Sequence, residues 1–519
     1  MGIKTDNFTT EIVQAFYARI TENDVYFFGS DYNASNISLN SNFTNKDVLE
    51  KTIFGLRIKE EDVAYMVKNN LWAPNIVYDI YDDTSVLTAS NYYVIVSPES
   101  EDGDYYVFKC IFNNNGSPST SRPQYSEDIL ESGGYSNVAD GYIWKYMFTV
   151  TDAQAKKFKT NTFFPIIEDP LVANAAIDGL DTILVENFQT NFGYKRVIGT
   201  ANTQPEGTSN RVYLTVAEGY HFDETAGTYE AEVIYFTRAD EEEEIIGKTF
   251  VIKTSGKSEG RYYVEFENYT GYTIQVNDNF EILPRIIITG DGTGAEGVAV
   301  FDPTNTRINS VKLISKGSGY TSATATVVRP KTVNLATDGV EAILRPIIAP
   351  LGGHGSNVVK ELRSDAVCIS GTITSFSTEI PDSGAYSKIA LVYEPIFVDR
   401  EANSAPITAP DSFVNMVRLT STASEQATVG KAVSQTNGAS GIVHSIVGDY
   451  IYVINFTGNN SAKFDENLTL GIGTFSINIT EVVYPSYLER TGEVLYITDF
   501  QPVTRSETKE ELIKILVDF

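Results

Sequence analysis

Between Tyr142 and Val150 every second side chain is large and apolar, which confines this stretch to a β-strand. Successive side chains of an extended chain point to opposite faces, so Tyr142, Trp144, Tyr146, Phe148 and Val150 share one face. The other face carries Ile143, Lys145, Met147 and Thr149, polar enough to meet a wetter layer or a partner surface. Asp140-Gly141 supplies a turn before the strand, and Thr151-Asp152-Ala153-Gln154 has the spacing of a capping box that opens a helix after it. The default reading of such an aromatic face is core. The sharper one gives part of it to a subunit contact, because Tyr and Trp are enriched at interfaces.

Helical periodicity is confined to short stretches. Ile12, Val13, Phe16, Tyr17 and Ile20 share one helix face, a second short helix is expected over Lys46 to Phe54, and a helical turn around Glu60 to Val67. Elsewhere the runs alternate. Tyr92 to Ser97 and Tyr105 to Phe112 flank a hairpin connection, and Asn113 to Gly134 reads as a long loop of the functional or mobile kind. From about Tyr194 strand-like runs recur with turn residues between them, as in Arg211 to Val216, Ala231 to Phe236 and Tyr262 to Phe266. The acidic run Asp240 to Glu244 reads as a solvated hairpin tip. Ile513, Ile515, Val517 and Phe519 alternate to the end of the sequence, which ties the last residues into a sheet. With 31 Tyr and 28 Phe beside frequent Thr, Val and Ile, the expected fold is mainly β. It is made of sandwich or sheet domains with a few short helices, in a chain of 519 residues long enough for several domains.

Charge and composition narrow the function. Lys plus Arg number 39 and Asp plus Glu 68, a net charge of −29, which repels phosphate backbones and disfavours nucleic-acid binding. No window has the roughly 20 apolar residues of a membrane span, and Met1 to Asp6 opens no signal-peptide pattern. Cys110 and Cys368 have apolar neighbours and read as core thiols.

Three motifs invite a chemical reading. Gly292-Thr293-Gly294-Ala295-Glu296-Gly297 matches a dinucleotide fingerprint, but a strand-like run follows where a phosphate-binding helix is required, so it reads as a β-turn. Gly256-Lys257-Ser258-Glu259-Gly260 matches a nucleophile elbow and fails for the same reason. Of the three histidines, His221, His354 and His444, the best catalytic candidate is His354, in the loop Gly352-Gly353-His354-Gly355-Ser356, which can bend over a ligand. Its plainer reading is a hydrogen-bonded turn residue. Asp79-Ile80-Tyr81-Asp82-Asp83 offers carboxylates for a hard cation but lacks the glycine-bearing loop of a calcium site, and reads as a solvated loop.

The run Asp140 to Phe148 resembles the DGYxWxYxF segment of a baseplate wedge subunit of T4-like contractile-tailed phages, the gene-eight type. Other segments fall in the same order: Phe16 to Gly29, Trp72-Ala73-Pro74, Val107 to Cys110, Asn161 to Pro165, Ser387 to Pro395, Arg490 to Ile497 and Glu510 to Phe519. Glu394 stands where the family has Asn, and Thr498-Asp499 where it has Glu-Asn. The similarity covers roughly 250 to 300 residues. It implies a structural virion protein of the tail baseplate, assembled in the host bacterial cytoplasm, dimeric and bound to other baseplate wedge proteins. No catalysis, cofactor, metal, nucleic acid or membrane is implied. The alternatives are a glycan- or fibre-binding tail module and a hydrolase using His354 or a carboxylate pair.

The resulting partition places a family core over residues 1–193, an inserted β-rich domain over 194–335, a return to the core over 336–412, a small inserted β domain over 413–484, and closing strands over 485–519. Interface residues are expected at Trp72, Tyr142, Trp144, Tyr146, Tyr496 and Phe519.

Overall fold

Strand Val25–Ser30 is buried along its whole length and is the middle strand of a five-stranded sheet. Its two faces look into different apolar layers. Phe27 points into one with Val13, Ile20, Ile369 and Ile515, while Tyr26 and Phe28 point into another with Phe397, Phe413 and Tyr487. Seen in a computed structural model, the chain is described over residues 5–30, 44–82, 91–130, 133–174, 178–190, 193–202, 210–239, 243–269, 272–302, 307–329, 331, 340–373, 385–400, 404–456, 462–504 and 510–519. It is mainly β with a few short helices, and multidomain.

Contacts divide it into two units. Unit 1 comprises Met1–Asn69, Asp152–Ile167 and Ser364–Phe519, and unit 2 comprises Asn70–Thr151 and Glu168–Arg363. The division cuts across the expected segments 1–193 and 336–412, each of which is shared between the units. The reason is pairing: strands far apart in sequence complete each sheet, so contiguity along the chain is a poor guide to domain membership.

In unit 1 the first sheet runs Ser412–Val414, Thr52–Arg57, Val25–Ser30, Ala385–Tyr393 and Glu493–Thr504. A second has the order Glu511–Asp518, Ala366–Ile373, Val63–Lys68 and Phe163–Pro165. Helix Asp6–Thr21, capped by the Thr5 hydroxyl accepting the Phe8 N–H at 3.3 Å, lays Val13 and Ile20 on the layer these sheets share. The final strand is paired along its length with Ala366–Ile373, and the Phe519 ring packs on Phe16 with centroids 5.3 Å apart. Strands between Val417 and Val483 form a seven-stranded sheet with an apolar core of its own.

Unit 2 holds the aromatic strand Tyr142–Val150 between Tyr105–Asn113 and Tyr135–Asn137, with Tyr93–Val96 at the edge. A six-stranded sheet includes Leu180–Val185 and Ile308–Ser318, and six strands from Val197 to Leu283 close into a barrel. Within the expected block 194–335 the strands from Val197 to Leu283 form the barrel and the later ones join the six-stranded sheet, and all of it lies in unit 2.

Two expected helical stretches are corrected. Helix Asn45–Lys51 ends early and Thr52–Arg57 is a strand; residues Glu60–Asp62 form one 3-10 turn before strand Val63–Lys68. In both places β-branched and aromatic residues gain more by pairing with Val25–Ser30 and Ala366–Ile373 than local helix propensity offers. Both glycine motifs lie in β-hairpins: Thr293–Phe301 is a strand, and Glu259-Gly260 links Thr249–Ser258 to Arg261–Phe266. Of the acidic run, Asp240 to Glu242 lie outside the described residues, while Glu243–Ile245 is a 3-10 turn.

Candidate functional site

The charged side chains of greatest chemical interest lie in the interior of unit 2, and the register of two strands puts the first of them there. Phe108, Lys109 and Cys110 stand opposite Tyr146, Lys145 and Trp144. Alternation then sends Phe108, Cys110, Trp144 and Tyr146 into one apolar layer and both lysines to the other face. Lys109 and Lys145 are 0% and 3% exposed and directly cross-strand, an arrangement that repels unless anions face it.

The anions come from elsewhere in the same unit. Asp181 is on strand Leu180–Val185, and Glu361 ends the short helix Val358–Glu361. His354 precedes that helix in a loop whose Gly352, Gly353 and Gly355 all have positive φ. A Cβ on Gly355 would lie 2.5 Å from Val172, so only glycine lets the loop fold this close and turn the imidazole inward. Lys109 Nζ pairs with Glu361 Oε2, and the Tyr81 ring covers the ammonium with its centroid 3.8 Å away. His354 lies between the two acids: Nε2 is 2.5 Å from Asp181 Oδ1, and Nδ1 is 3.6 Å from Glu361 Oε2, beyond hydrogen-bond length. Lys316 Nζ is 3.9 Å from Asp181 and donates to the Tyr135 hydroxyl at 2.5 Å, and Lys145 donates to the Gly133 carbonyl at 2.7 Å.

Burial sets the protonation states. It pulls the Lys145 ammonium down to about 8, with help from the like charges of Lys316 and Lys109. Burial alone would raise the Glu361 carboxyl, but Lys109 and His354 more than offset it and hold the group down to about 2. Asp181 is likewise held below its ordinary value, burial being outweighed by His354 and the lysines. Asp181 and Glu361 are thus both ionised at neutral pH, facing Lys109, Lys145 and Lys316, with the His354 ring between the two carboxylates.

His354 is therefore not on a loop bending over a ligand. At 2% exposure it presents no surface to a substrate in solvent, which corrects the expectation from its glycine-rich surroundings. Asp181, Glu361 and Lys109 carried no motif in the sequence. The available signal was lysine inside an apolar run, in Val107-Phe108-Lys109-Cys110-Ile111 and Tyr142-Ile143-Trp144-Lys145-Tyr146. Asp79 accepts the Asn91 N–H at 2.8 Å and Asp82 pairs with Arg345 at 2.7 Å, while Asp83 lies outside the described residues.

The six expected interface residues separate. Tyr142, Trp144 and Tyr146 are 0%, 0% and 3% exposed, so they fill the core of unit 2 and offer nothing to a partner. Tyr142 and Trp144 stack at 5.5 Å, and Tyr78 meets the indole edge-on at 5.3 Å. Trp72, half-buried, packs on the same layer and donates its indole N–H to Ser119 Oγ. Tyr496 and Phe519 belong to unit 1, where Tyr496 is exposed and Phe519 half-buried.

The Asp140 carboxylate of the motif has a defined role. It accepts from Ser119 Oγ and from the N–H groups of Thr120, Ser121 and Tyr142, and the Tyr142 hydroxyl donates to the Ser117 carbonyl. Asp140 thereby pins the long loop after Asn113 to the aromatic strand. In unit 1 an open cleft of about 590 Å³ is lined by Asp399, Arg400, Lys463, Phe464, Asn467 and Tyr484, among others. Compared with known protein families and with curated proteins, the chain matches none.

Proposed function

We propose that this chain is a structural subunit of a contractile phage tail, a baseplate wedge component that holds neighbouring chains together. One observation carries the reading: the segments bearing the resemblance, hundreds of residues apart, meet as neighbouring elements. In unit 1 the strands Val25–Ser30, Ala385–Tyr393 and Glu493–Thr504, which hold three such segments, are adjacent in one sheet. In unit 2 the strand holding Val107 to Cys110 pairs with the aromatic strand, and the Trp72 N–H donates to the Ile95 carbonyl of the same sheet. The barrel and the seven-stranded sheet, which carry no resemblance, each keep an apolar core of their own. That segregation supports a shared framework with added β modules.

Two strands suit the joining role. Glu493–Thr504 and Glu511–Asp518 are terminal in their sheets among the described residues, each paired on one side only. Such edges present unpaired backbone groups to which a second chain can add a strand. The partners on this reading are a second copy and other wedge proteins, in a virion. A second reading, a glycan-binding tail module, is favoured by the unit 1 cleft, where Phe464 and Tyr484 stand beside carboxylate and amide groups.

The test is native mass measurement of the full chain alone and mixed with the other wedge proteins of the same tail. Dimers and stable mixed complexes are expected. A monomer that ignores every partner but binds or cleaves a polysaccharide refutes the assembly reading in favour of the second.

A further inference from the structure

The cluster in unit 2 places an amine, a carboxyl group and an imidazole in a core closed to solvent, so the reactants it can join are its own side chains. Lys109 Nζ contacts Glu361 Oε2. The second carboxylate oxygen, Oε1, accepts the backbone N–H of Gly355 at 2.8 Å and that of Asn357 at 3.4 Å. Two fixed N–H donors on one carboxyl oxygen are the means by which acyl-transfer sites stabilise the oxyanion of a tetrahedral intermediate. His354 Nδ1 lies beside Oε2 and has no hydrogen-bond partner among the described residues. With the Nε2 proton donated to Asp181, Nδ1 keeps its lone pair and is free to carry a proton.

We propose that Lys109 and Glu361 condense to form an intramolecular amide cross-link, with His354 moving the proton and Asp181 positioning the imidazole. The reaction starts from the ion pair. One proton passes from Nζ to Oε2, giving an amine and a carboxylic acid without change of net charge. The amine lone pair then attacks the Glu361 carboxyl carbon to form the N–C bond, and the carbonyl pair moves onto Oε1, facing the Gly355 and Asn357 N–H groups. His354 Nδ1 removes the surplus proton from nitrogen and delivers it to Oε2. The C–Oε2 bond breaks, water departs and the carbonyl re-forms. One amide and one water result; nothing is oxidised or reduced and no further reactant enters.

The same charges that make the site also slow it. The Lys109 ammonium keeps Glu361 ionised, so the reaction draws on the minor neutral pair. Fixed juxtaposition offsets this, because the two reacting groups are held in contact by the fold and need no encounter. Neither other lysine of the cluster meets these conditions. Lys316 is 3.9 Å from Asp181 and engaged with Tyr135, and Lys145 donates to a backbone carbonyl. The cross-link would close a loop across 252 positions, fastening the aromatic sheet to the short helix Val358–Glu361. It is independent of the assembly reading, as it concerns one chain alone.

Intact-mass spectrometry of the purified full chain, unfolded in denaturant after prolonged incubation, tests it directly. The expected mass is one water below that of the sequence, and proteolysis is expected to release a branched peptide joining Lys109 to Glu361. Lys109→Arg keeps the charge but not the primary amine, and is expected to show the full sequence mass with an unchanged circular dichroism spectrum. In a time course from fresh protein, His354→Gln is expected to lose water more slowly than the unaltered chain. The full sequence mass in the unaltered chain overturns the proposal, as does a water loss that persists in Lys109→Arg. Equal rates with and without His354 overturn the role given to the imidazole.

Discussion

Replacing Trp144 with alanine is the most informative single perturbation of unit 2. The indole is fully buried, stacked on Tyr142 and met edge-on by Tyr78, in a layer completed by Phe108, Cys110 and Tyr146. Truncation of a buried aromatic to alanine costs about 3–5 kcal/mol, from lost burial and the cavity left behind. The two ring contacts place Trp144 toward the upper end, since such pairs add about 0.5–1.5 kcal/mol each beyond area. In a unit of this size that lowers the melting temperature by about 6–20 °C. The assay follows from composition: the chain has two tryptophans, Trp72 and Trp144, and both are in unit 2. In Trp144→Ala the emission of Trp72 therefore reports the melting of unit 2 and not that of unit 1. Trp144→Phe is expected to cost less, because it retains a ring against Tyr142 and removes an indole N–H that has no partner among the described residues. A Trp144→Ala change below about 1 kcal/mol would refute the claim that this strand organises the unit.

Other outcomes follow from the same geometry. In freshly made chain, before any cross-link forms, Glu361→Leu removes the carboxylate facing the buried Lys109 ammonium and is expected to cost about 3–5 kcal/mol, whereas Lys109→Met combined with Glu361→Leu recovers most of that loss; equal destabilisation in chemical denaturation would contradict it. Glu232 is 2% exposed and its carboxyl is pushed up to about 8 by burial. Its folded form therefore holds a proton that the unfolded chain releases, so stability falls as pH rises from about 4.5 to about 8, and Glu232→Gln is expected to flatten that part of a pH–stability profile. An unaltered slope in the variant argues against the assignment. Gly29→Ala puts a Cβ 2.2 Å from the Phe54 ring and is expected to destabilise unit 1 by about 1–3 kcal/mol, with rescue by Phe54→Leu, measured by circular dichroism.

The fold was legible wherever alternation is strong. The aromatic strand, its hairpin neighbours and the terminal strand all lie close to where the period-two pattern puts them, because side chains buried on a sheet face leave a direct trace in sequence. Phe54 and Val67 were misassigned to helices since local pattern does not report which distant strand is waiting to pair. The aromatic face was read correctly as core, and the subunit contact assigned to Tyr142, Trp144 and Tyr146 failed on burial alone. His354 was found for its glycines, yet its setting was missed. Its neighbours Asp181 and Glu361 come from Leu180–Val185 and Val358–Glu361, and Glu361 in turn pairs with Lys109 of Tyr105–Asn113, elements whose meeting depends on the fold of the whole unit.

The proposal that this chain is built into a contractile tail is tested most directly by electron microscopy of tagged particles. A short epitope inserted at the exposed hairpin tip Glu259-Gly260, where a Cβ on Gly260 meets nothing within 4 Å, leaves both flanking strands intact. Antibody label concentrated at the baseplate end of purified tails is the predicted result. Tails that form normally and carry no label, with the tagged chain recovered only as free protein, would contradict the account.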